Sequence, residues 1–369
     1  MVKACKDIDA EILVVDNASE DNSRVYLSGR FADVQFFWNT SNVGFSKANN
    51  LMLEKTSGEY ILFLNPDTII PEDCFTKCIA FLQQHSNAGA LGVHMIDGSG
   101  RFLRESKRGT PTAAGSLFKL IGLCTLFPRS KYFSQYYAGH LPEYAINKTG
   151  ILSGAFIMMT RRAAAITNGF DESFFMYGED IDLCKRINDA GLDNYYFPET
   201  TVIHFKGEST LRRSPKYIKR FYGAMKQYAR KHYQQKKLKL FFMNAAISAA
   251  TLASRAKIKL AKEKNERAEL SHTCIIAGTE AAADSVRRNF HEFSNASISV
   301  SATAAETDIF SSHIDSFVFC NEARSTKENI RTLMILPGNT NALFYSSGAH
   351  SIIGSTQKHT RGVVITMSE

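Results

Sequence analysis

Four polar clusters sit where apolar runs stop, and their residue types suit phosphate and proton chemistry. EILVVDNASEDNS ends a run in Asp16 and Asn17, with Asp21 close behind; EYILFLNPDT ends one in Asn65, Pro66 and Asp67; TVIHFKGEST ends one in His204, followed by Gly207 and Ser209. A carboxylate at one strand end and a distant histidine at another are donors for a hard divalent cation on a diphosphate. Mg2+ or Mn2+ takes one or two such protein donors and leaves the other positions to substrate phosphates. The fourth cluster, FDESFFMYGEDIDLCKRINDAG, leads through aromatic residues and a glycine into Glu179, Asp180 and Asp182. One carboxylate there suits a general base that takes a proton from an attacking hydroxyl. Each cluster also has a plain structural reading. An aspartate ending a strand is a common turn or cap residue, a lone histidine is often a satisfied structural one, and acids in a first helical turn meet the positive end of the macrodipole.

The elements that must position these clusters follow from hydropathy. From Glu11 to about Phe205, EILVVDN, VQFFWNT, EYILFLN and ALGVHMI read as strands, separated by helical stretches such as NVGFSKANNLMLEKTSG and PEDCFTKCIAFLQQHSNAG, with Gly58 and Gly89 as helix terminators. ILSGAFIMMT, NYYFPE and TVIHF follow as a second set of strands around the amphipathic SFFMYGEDIDLCKRINDAG. Such alternation predicts crossover units and a mostly parallel sheet, with ligands outside the carboxyl ends of the strands. Residues 216–270 are different in kind: basic, aromatic-rich and helix-compatible. Residues 271–369 open with TCIIAGTEAAADSVRRNF and read as a small separate α/β domain, with ISVSAT, SFVFC, NALFYSS and SIIGS as further strands. Only Gly278 follows its first strand, so the GxGxxG dinucleotide fingerprint is absent, which weighs against an oxidoreductase built on that domain.

The chain has 369 residues, room for two or three domains, and its 44% hydrophobic and 22% charged content excludes wholesale disorder. The net charge of +8 is uneven. Between Lys206 and Arg267 there are 18 basic and 3 acidic residues, so the rest of the chain is mildly acidic. This argues against nucleic-acid binding by the whole protein and for one anionic partner surface. In residues 216–268, Lys and Arg alternate with Tyr217, Phe221, Tyr222, Tyr228, Tyr233, Phe241 and Phe242, the mix of an interfacial element on anionic lipid. The alternative is a helical linker that packs its aromatic face onto the preceding domain. LFFMNAAISAATLA is too short to span a bilayer, no apolar run elsewhere is long enough, and the amino terminus lacks a signal-peptide layout. The seven cysteines show no CxxC spacing and read as small buried hydrophobes of a reducing compartment.

Taken together and in order, VVDNASEDNS, NVGFSKANN, LFLNPDT, LSGAFIMMTRR, FDESFFMYGEDIDLCKRI and VIHFKGEST resemble the family 2 inverting glycosyltransferases of the GT-A fold, particularly the bacterial rhamnosyltransferase-like members. The likeness spans about residues 11–213. It implies an α/β GT-A-type mixed sheet flanked by helices over residues 1–215, then the basic helical segment 216–270, then a Rossmann-like accessory domain over 271–369. It implies that Asp16 meets the base of a nucleotide sugar, that Asn17 shapes the turn, and that Asn42, Gly44, Asn49 and Asn65 lie near the donor. Asp67 is then the metal-binding acid of the DXD-type position, with His204 completing a site for Mg2+ or Mn2+. Asp180 is the catalytic base with Glu179 beside it, Ser153 and Gly154 line the acceptor side, and Arg212 or Arg213 neutralises phosphate.

The implied partners are a nucleotide-sugar donor, a glycan or lipid-linked acceptor and an anionic membrane surface, with no nucleic acid. The implied setting is the cytoplasm, peripheral on the inner face of the cell membrane, in polysaccharide assembly. In one respect the chain departs from the pattern. Family members begin with a further strand and helix, and MVKACKDIDAEILVVDN matches only the tail of that helix. An N-terminally truncated domain with an exposed sheet edge is therefore expected, and the competing function is a catalytically impaired relative acting as a binding or scaffold subunit.

Overall fold

The computed structural model describes residues 1–205, 215–260, 273–289, 297–301, 315–320, 324–336, 340–346, 351–354 and 363–366. β1 (Ile12–Asp16) and β2 (Val34–Trp38), joined through α1 (Ser23–Leu27), pair in parallel with Asp16 opposite Trp38. Then come α2 (Phe45–Leu53), β3 (Tyr60–Leu64), the short β4 (Thr68–Ile69), α3 (Cys74–Gln84) and β5 (Ala88–Ile96). β6 (Lys107–Arg108), α4 (Ala113–Leu120), α5 (Leu123–Leu126), β7 (Asn147–Lys148) and β8 (Ile151–Leu152) lead to β9 (Phe156–Thr160). α6 (Arg161–Thr167), α7 (Glu179–Asp189) and β10 (Asp193–His204) close the first region, followed by two long helices, α8 (Pro215–Tyr233) and α9 (Lys237–Leu260).

The main sheet has the order β3-β9-β5-β10-β4, with β7 paired on β10. β10 is parallel to β5, and β9 is antiparallel to both β3 and β5, so β3, β5 and β10 run the same way in a mixed sheet. Their carboxyl ends and the amino end of β9 therefore share one edge. The alternation of side chains along each strand divides the core between the two faces. Ile61, Phe63, Ile157 and Met159 pack on the α7 side. Leu62, Leu64, Phe156 and Met158 pack on the α3 side. β5 is buried at every position, as a central strand covered on both faces must be. β1 and β2 form a separate two-stranded sheet; among the described residues β1 pairs only with β2, and β3 only with β9.

Four sequence expectations change. The main sheet is not mostly parallel: among its described pairings only β5–β10 is, because β9, β4 and β7 all run against their neighbours. Neither Gly58 nor Gly89 terminates a helix. α2 ends at Leu53, and Gly89 lies inside β5, where a Cβ would come within 2.5 Å of Ile187 on α7. NYYFPE and TVIHF are one strand, β10, whose register slips between Phe197 and Thr201. Pro198 lies in that slip, where its missing N–H costs no ladder bond. ILSGAFIMMT is two strands, β8 and β9, separated by Ser153-Gly154-Ala155.

The carboxyl-terminal region holds β11 (Thr273–Ala277), α10 (Glu280–Asn289), β12 (Ser297–Ser301), β13 (Ser316–Cys320), α11 (Thr326–Ile335), β14 (Asn341–Ser346), β15 (Ser351–Gly354) and β16 (Val363–Thr366). Its sheet runs β12-β11-β13-β14-β15-β16, the first four strands parallel and the last two antiparallel. The sheet is its own, but the core is shared. Ile96, Ile203 and Phe205 join one cluster with Ile275, Phe317 and Phe344. Glu72 accepts from the Thr326 N–H at 2.8 Å, and Lys327 pairs with Asp73 at 2.7 Å.

Candidate active site

Asp67 and His204 meet because β4 turns back onto the end of β10. His204 lies opposite Thr68 in that ladder, and the Phe205 N–H donates to the Asp67 carbonyl at 3.0 Å. The His204 Nε2 is 3.2 Å from the Asp67 carboxylate, and the buried Nδ1 has no hydrogen-bond partner. No cluster of three His, Cys, Asp or Glu side chains suited to a metal occurs among the described residues. One carboxylate and one imidazole side by side fit a cation that draws its other donors from substrate oxygens and water.

Asp180 reaches the same edge by another route. Tyr177 and Gly178 both have positive φ, +72° and +86°, and turn the chain sharply into α7. A tyrosine there is strained; its ring packs edge-on against Tyr217 and Phe221 of α8, which hold it. The turn sets Glu179 and Asp180 in the first helical turn. The Asp180 Oδ2 accepts from the Gly154 N–H at 3.2 Å and from the Arg108 guanidinium at 2.5 Å, while its Oδ1 accepts from the Ile181 N–H at 2.8 Å. A Cβ on Gly154 would lie 3.2 Å from the Asp180 Cβ, so the loop before β9 backs directly onto this carboxylate. In the same loop the Ala155 carbonyl accepts from the Asn65 N–H at 3.0 Å, two residues from Asp67. Asp180, Gly154, Asn65, Asp67 and His204 thus follow one another along the carboxyl edge of the sheet.

The two adjacent acids differ in environment. Burial, reinforced by the Asp180 charge, pushes the Glu179 carboxyl up to about 8, and its Oε2 has no partner. Burial opposes the Arg108 cation, but Asp180 more than offsets this and holds the guanidinium above its ordinary range. Tyr136 stands beside Arg108 and Lys119; burial raises its phenol, and the two cations pull it below its ordinary value. Asp182 has a structural job. Fully buried, it accepts from Arg186 at 2.7 Å, His232 at 2.7 Å and Lys231 at 2.8 Å, which ties α7 to α8.

On the donor side the expected residues are largely spent on one another. The Asn17 amide donates to the Asn42 side chain at 3.1 Å and to the Gly44 carbonyl at 3.2 Å, and its oxygen accepts from the Val43 N–H at 3.0 Å. Asn49 donates back to the Phe45 carbonyl of its own helix at 2.9 Å. Gly44 (φ +91°) faces Phe175, not an open pocket: a Cβ there would lie 2.8 Å from that ring. The positions of Asn42, Gly44 and Asn49 thus serve the start of α2, which docks the loop before α7 through Phe45 N–H to the Phe175 carbonyl at 2.8 Å and Ser46 Oγ to the Phe174 carbonyl at 2.6 Å. Asp16 ends β1 and accepts the Ser19 N–H at 3.0 Å, a turn contact. Ser153 is nearly buried. Arg212 and Arg213, with Gly207 and Ser209, lie outside the described residues. Arg108 escaped the sequence reading because its partner is 72 residues away and nothing local marks it.

Residues 1–164 match the family model described as glycosyl transferase family 2. An N-acetylglucosaminyl-diphospho-decaprenol L-rhamnosyltransferase of Mycobacterium tuberculosis (strain CDC 1551 / Oshkosh) is 27% identical over 212 residues, covering 54% of this chain and 68% of that one. Rhamnosyltransferase WbbL of Escherichia coli (strain K12) is 28% identical over 171 residues, 44% of this chain and 61% of its own. Among solved structures, the mannosyltransferase PcManGT of Pyrobaculum calidifontis, in complex with GDP-Man and Mn2+, aligns over 69% of this chain and 67% of its own at 18% identity and a TM-score of 0.42, a likeness too distant to bear on function. Residues 1–164 of this chain, which carry the sites up to the Ser153–Ala155 loop, are thus similar to glycosyl transferase family 2.

Proposed function

We propose that the chain moves a sugar from a nucleotide-diphosphate sugar to a hydroxyl of a glycan or lipid-linked acceptor, with inversion and with a divalent cation, in cell envelope polysaccharide synthesis. The observation that carries this reading is the gathering of the Asp67–His204 pair and Asp180 on one sheet edge through the Ser153–Ala155 loop. The relatives' names supply the sugar chemistry: two are rhamnosyltransferases, one of them named for a diphospho-decaprenol acceptor.

In this reading Asp67 and His204 hold Mg2+ or Mn2+, which when bound balances charge on the diphosphate leaving group. Asp180 takes the acceptor's proton. A carboxylate offers about four lone-pair sites, and three donors already occupy Asp180, so a hydroxyl can add as the next. Arg108 and the Gly154 N–H fix the direction of the base, and Glu179, protonated at neutral pH, adds no second charge beside it. The attacked carbon inverts because base and leaving group lie on opposite sides, and no covalent enzyme intermediate is needed.

The test is a panel of UDP-, dTDP- and GDP-sugars with and without Mn2+, first by thermal shift and then by transfer. Asp180→Asn is expected to lower transfer about 100- to 10,000-fold and to leave nucleotide affinity nearly unchanged. Equal loss of both would remove Asp180 from the role. A second reading, a binding or scaffold subunit of impaired activity, draws on the donor side, where Asn17 and Asn42 bond each other and the β1–β2 sheet stands apart from the main one. Nucleotide binding without turnover of any donor supports that one.

A further inference from the structure

α8 and α9 divide the basic segment between two tasks. α8 buries Tyr228 and Tyr233 with Ile218, and its Tyr217, Phe221 and Tyr222 are half-buried. α9 buries Met243 and Ile247 on one side, yet its outer side is apolar as well: Leu238, Phe241, Phe242 and Leu252 are 72%, 67%, 54% and 66% exposed. A helix that covers a globular core ordinarily turns a polar face to water. α4 packs against α9, and the α4–α5 segment repeats the pattern from a distant part of the chain. Leu117, Ile121, Leu126 and Phe127 are 44%, 58%, 69% and 46% exposed.

Neither segment carries an acidic residue: residues 106–142 have five lysines and arginines, of which Lys107 is buried and Arg108 pairs with Asp180, and residues 215–256 have ten, of which Lys231 pairs with Asp171 and Asp182. Lys236, Lys237 and Arg255 on the α9 side, and Arg129 and Lys131 after α5, are exposed. No helix among the described residues is long and apolar enough to cross a membrane.

We propose that α4–α5 and the outer face of α9 together form a docking surface for an anionic lipid bilayer, with apolar side chains entering the interface and the basic rim meeting the headgroups. Apolar area and Lys/Arg attraction are the two contributions such binding requires, and both occur here on adjacent elements. A protein partner of ordinary character would leave the absence of any carboxylate across both segments unexplained. β6 runs into α4, so the docked face lies one strand from Arg108 and Asp180, where an acceptor anchored in lipid would be presented. In that purpose the surface rests on the lipid-linked-acceptor reading, but its test does not use transfer.

The full-length chain is sedimented with phosphatidylcholine vesicles with and without phosphatidylglycerol, over a range of salt. Binding is expected to rise at least about tenfold with the anionic lipid and to fall with salt. Phe241→Ser with Phe242→Ser, and separately Lys236→Gln with Lys237→Gln, should each weaken it about tenfold while the melting temperature stays within a few degrees, because all four side chains are exposed. Leu126→Ser with Phe127→Ser, on the other element, should do the same. Binding indifferent to lipid charge, or unaffected by all three pairs, overturns the proposal. So does a concentration-dependent dimer in sedimentation velocity that the Phe241/Phe242 pair abolishes, without vesicle binding. A chain that binds vesicles but turns over no donor leaves the surface standing and removes the transferase reading.

Discussion

Asp180 and Glu179 are neighbours in sequence and opposites in electrostatics. Asp180 has a cation and two N–H donors; Glu179 has a buried oxygen with none. This difference gives Glu179 a signature in stability. Its folded carboxyl is raised from 4.5 to about 8, so between those values the unfolded chain loses a proton that the folded chain keeps. Its contribution is full below the lower value and is lost as pH rises through the upper one. Glu179→Gln removes that dependence. Its stability relative to the parent should climb steadily across this window, by an amount on the order of a few kcal/mol at the upper end, and differential scanning fluorimetry at stepped pH would read it as a growing difference in melting temperature. A constant offset would mean that Glu179 is ionised in the fold. In the proposed mechanism Arg108 positions Asp180. Arg108→Ala removes that contact, so kcat should fall about tenfold or more with the donor KM nearly unchanged, and Arg108→Lys should restore most of it. A raised KM with kcat unchanged, or a loss that lysine does not restore, would make Arg108 a packing residue only.

At the scale of elements, Asp182 joins α7 to α8. Hydrogen bonds from His232, Lys231 and Arg186 hold its carboxyl down, against its burial, to about 2. The stability it contributes is present above the ordinary value of 3.8 and is lost as pH falls through the lower one. Asp182→Asn leaves Arg186 and the nearly buried His232 without their carboxylate partner and should cost about 3–5 kcal/mol, measurable by urea unfolding at neutral pH. A cost under about 1 kcal/mol would show that α8 is held by its apolar face alone. The α2–loop joint is steric. Gly44→Ala adds a Cβ at positive φ against Phe175 and should displace the loop leading to Asp180, seen as faster amide exchange over residues 170–178 and reduced transfer together.

For the whole molecule, the carboxyl-terminal sheet shares its core with β5 and β10. Phe205 meets Phe344 edge-on at 5.9 Å, and a Cβ on Gly100 would come within 2.6 Å of the Leu333 carbonyl. Phe344→Ala should therefore cost about 3–5 kcal/mol and lower the unfolding of both regions in one calorimetric transition. Two transitions, with only one displaced, would establish independent cores. The structure leaves the small β1–β2 sheet less tied: Glu11 reaches the Ser57 and Gly58 N–H groups just before β3, but among the described residues no strand bridges β1 and β3.

Most strand positions and the edge on which the clusters lie were legible in the sequence, though not the breaks within β8–β9 and the continuity of β10. Apolar runs of period two and their terminating polar residues are local properties, and chemistry at strand ends follows from chain direction. The opposite fates of neighbouring residues were not legible. That Asp182 clamps α8 while Asp180 meets Arg108 and the Gly154 N–H depends on where α8 and β6 come up against α7, and a helical turn of three acids looks the same either way. Gly89 resembled a helix stop until Ile187 was found against it, and the aromatic stripe of residues 217–242 divided into buried and exposed halves only once α8 and α9 had folded back on the domain. Periodicity along a chain fixes which side chains share a face. Whether that face meets core, substrate or solvent is set by contacts between residues far apart in sequence, and those exist only after the chain has closed on itself.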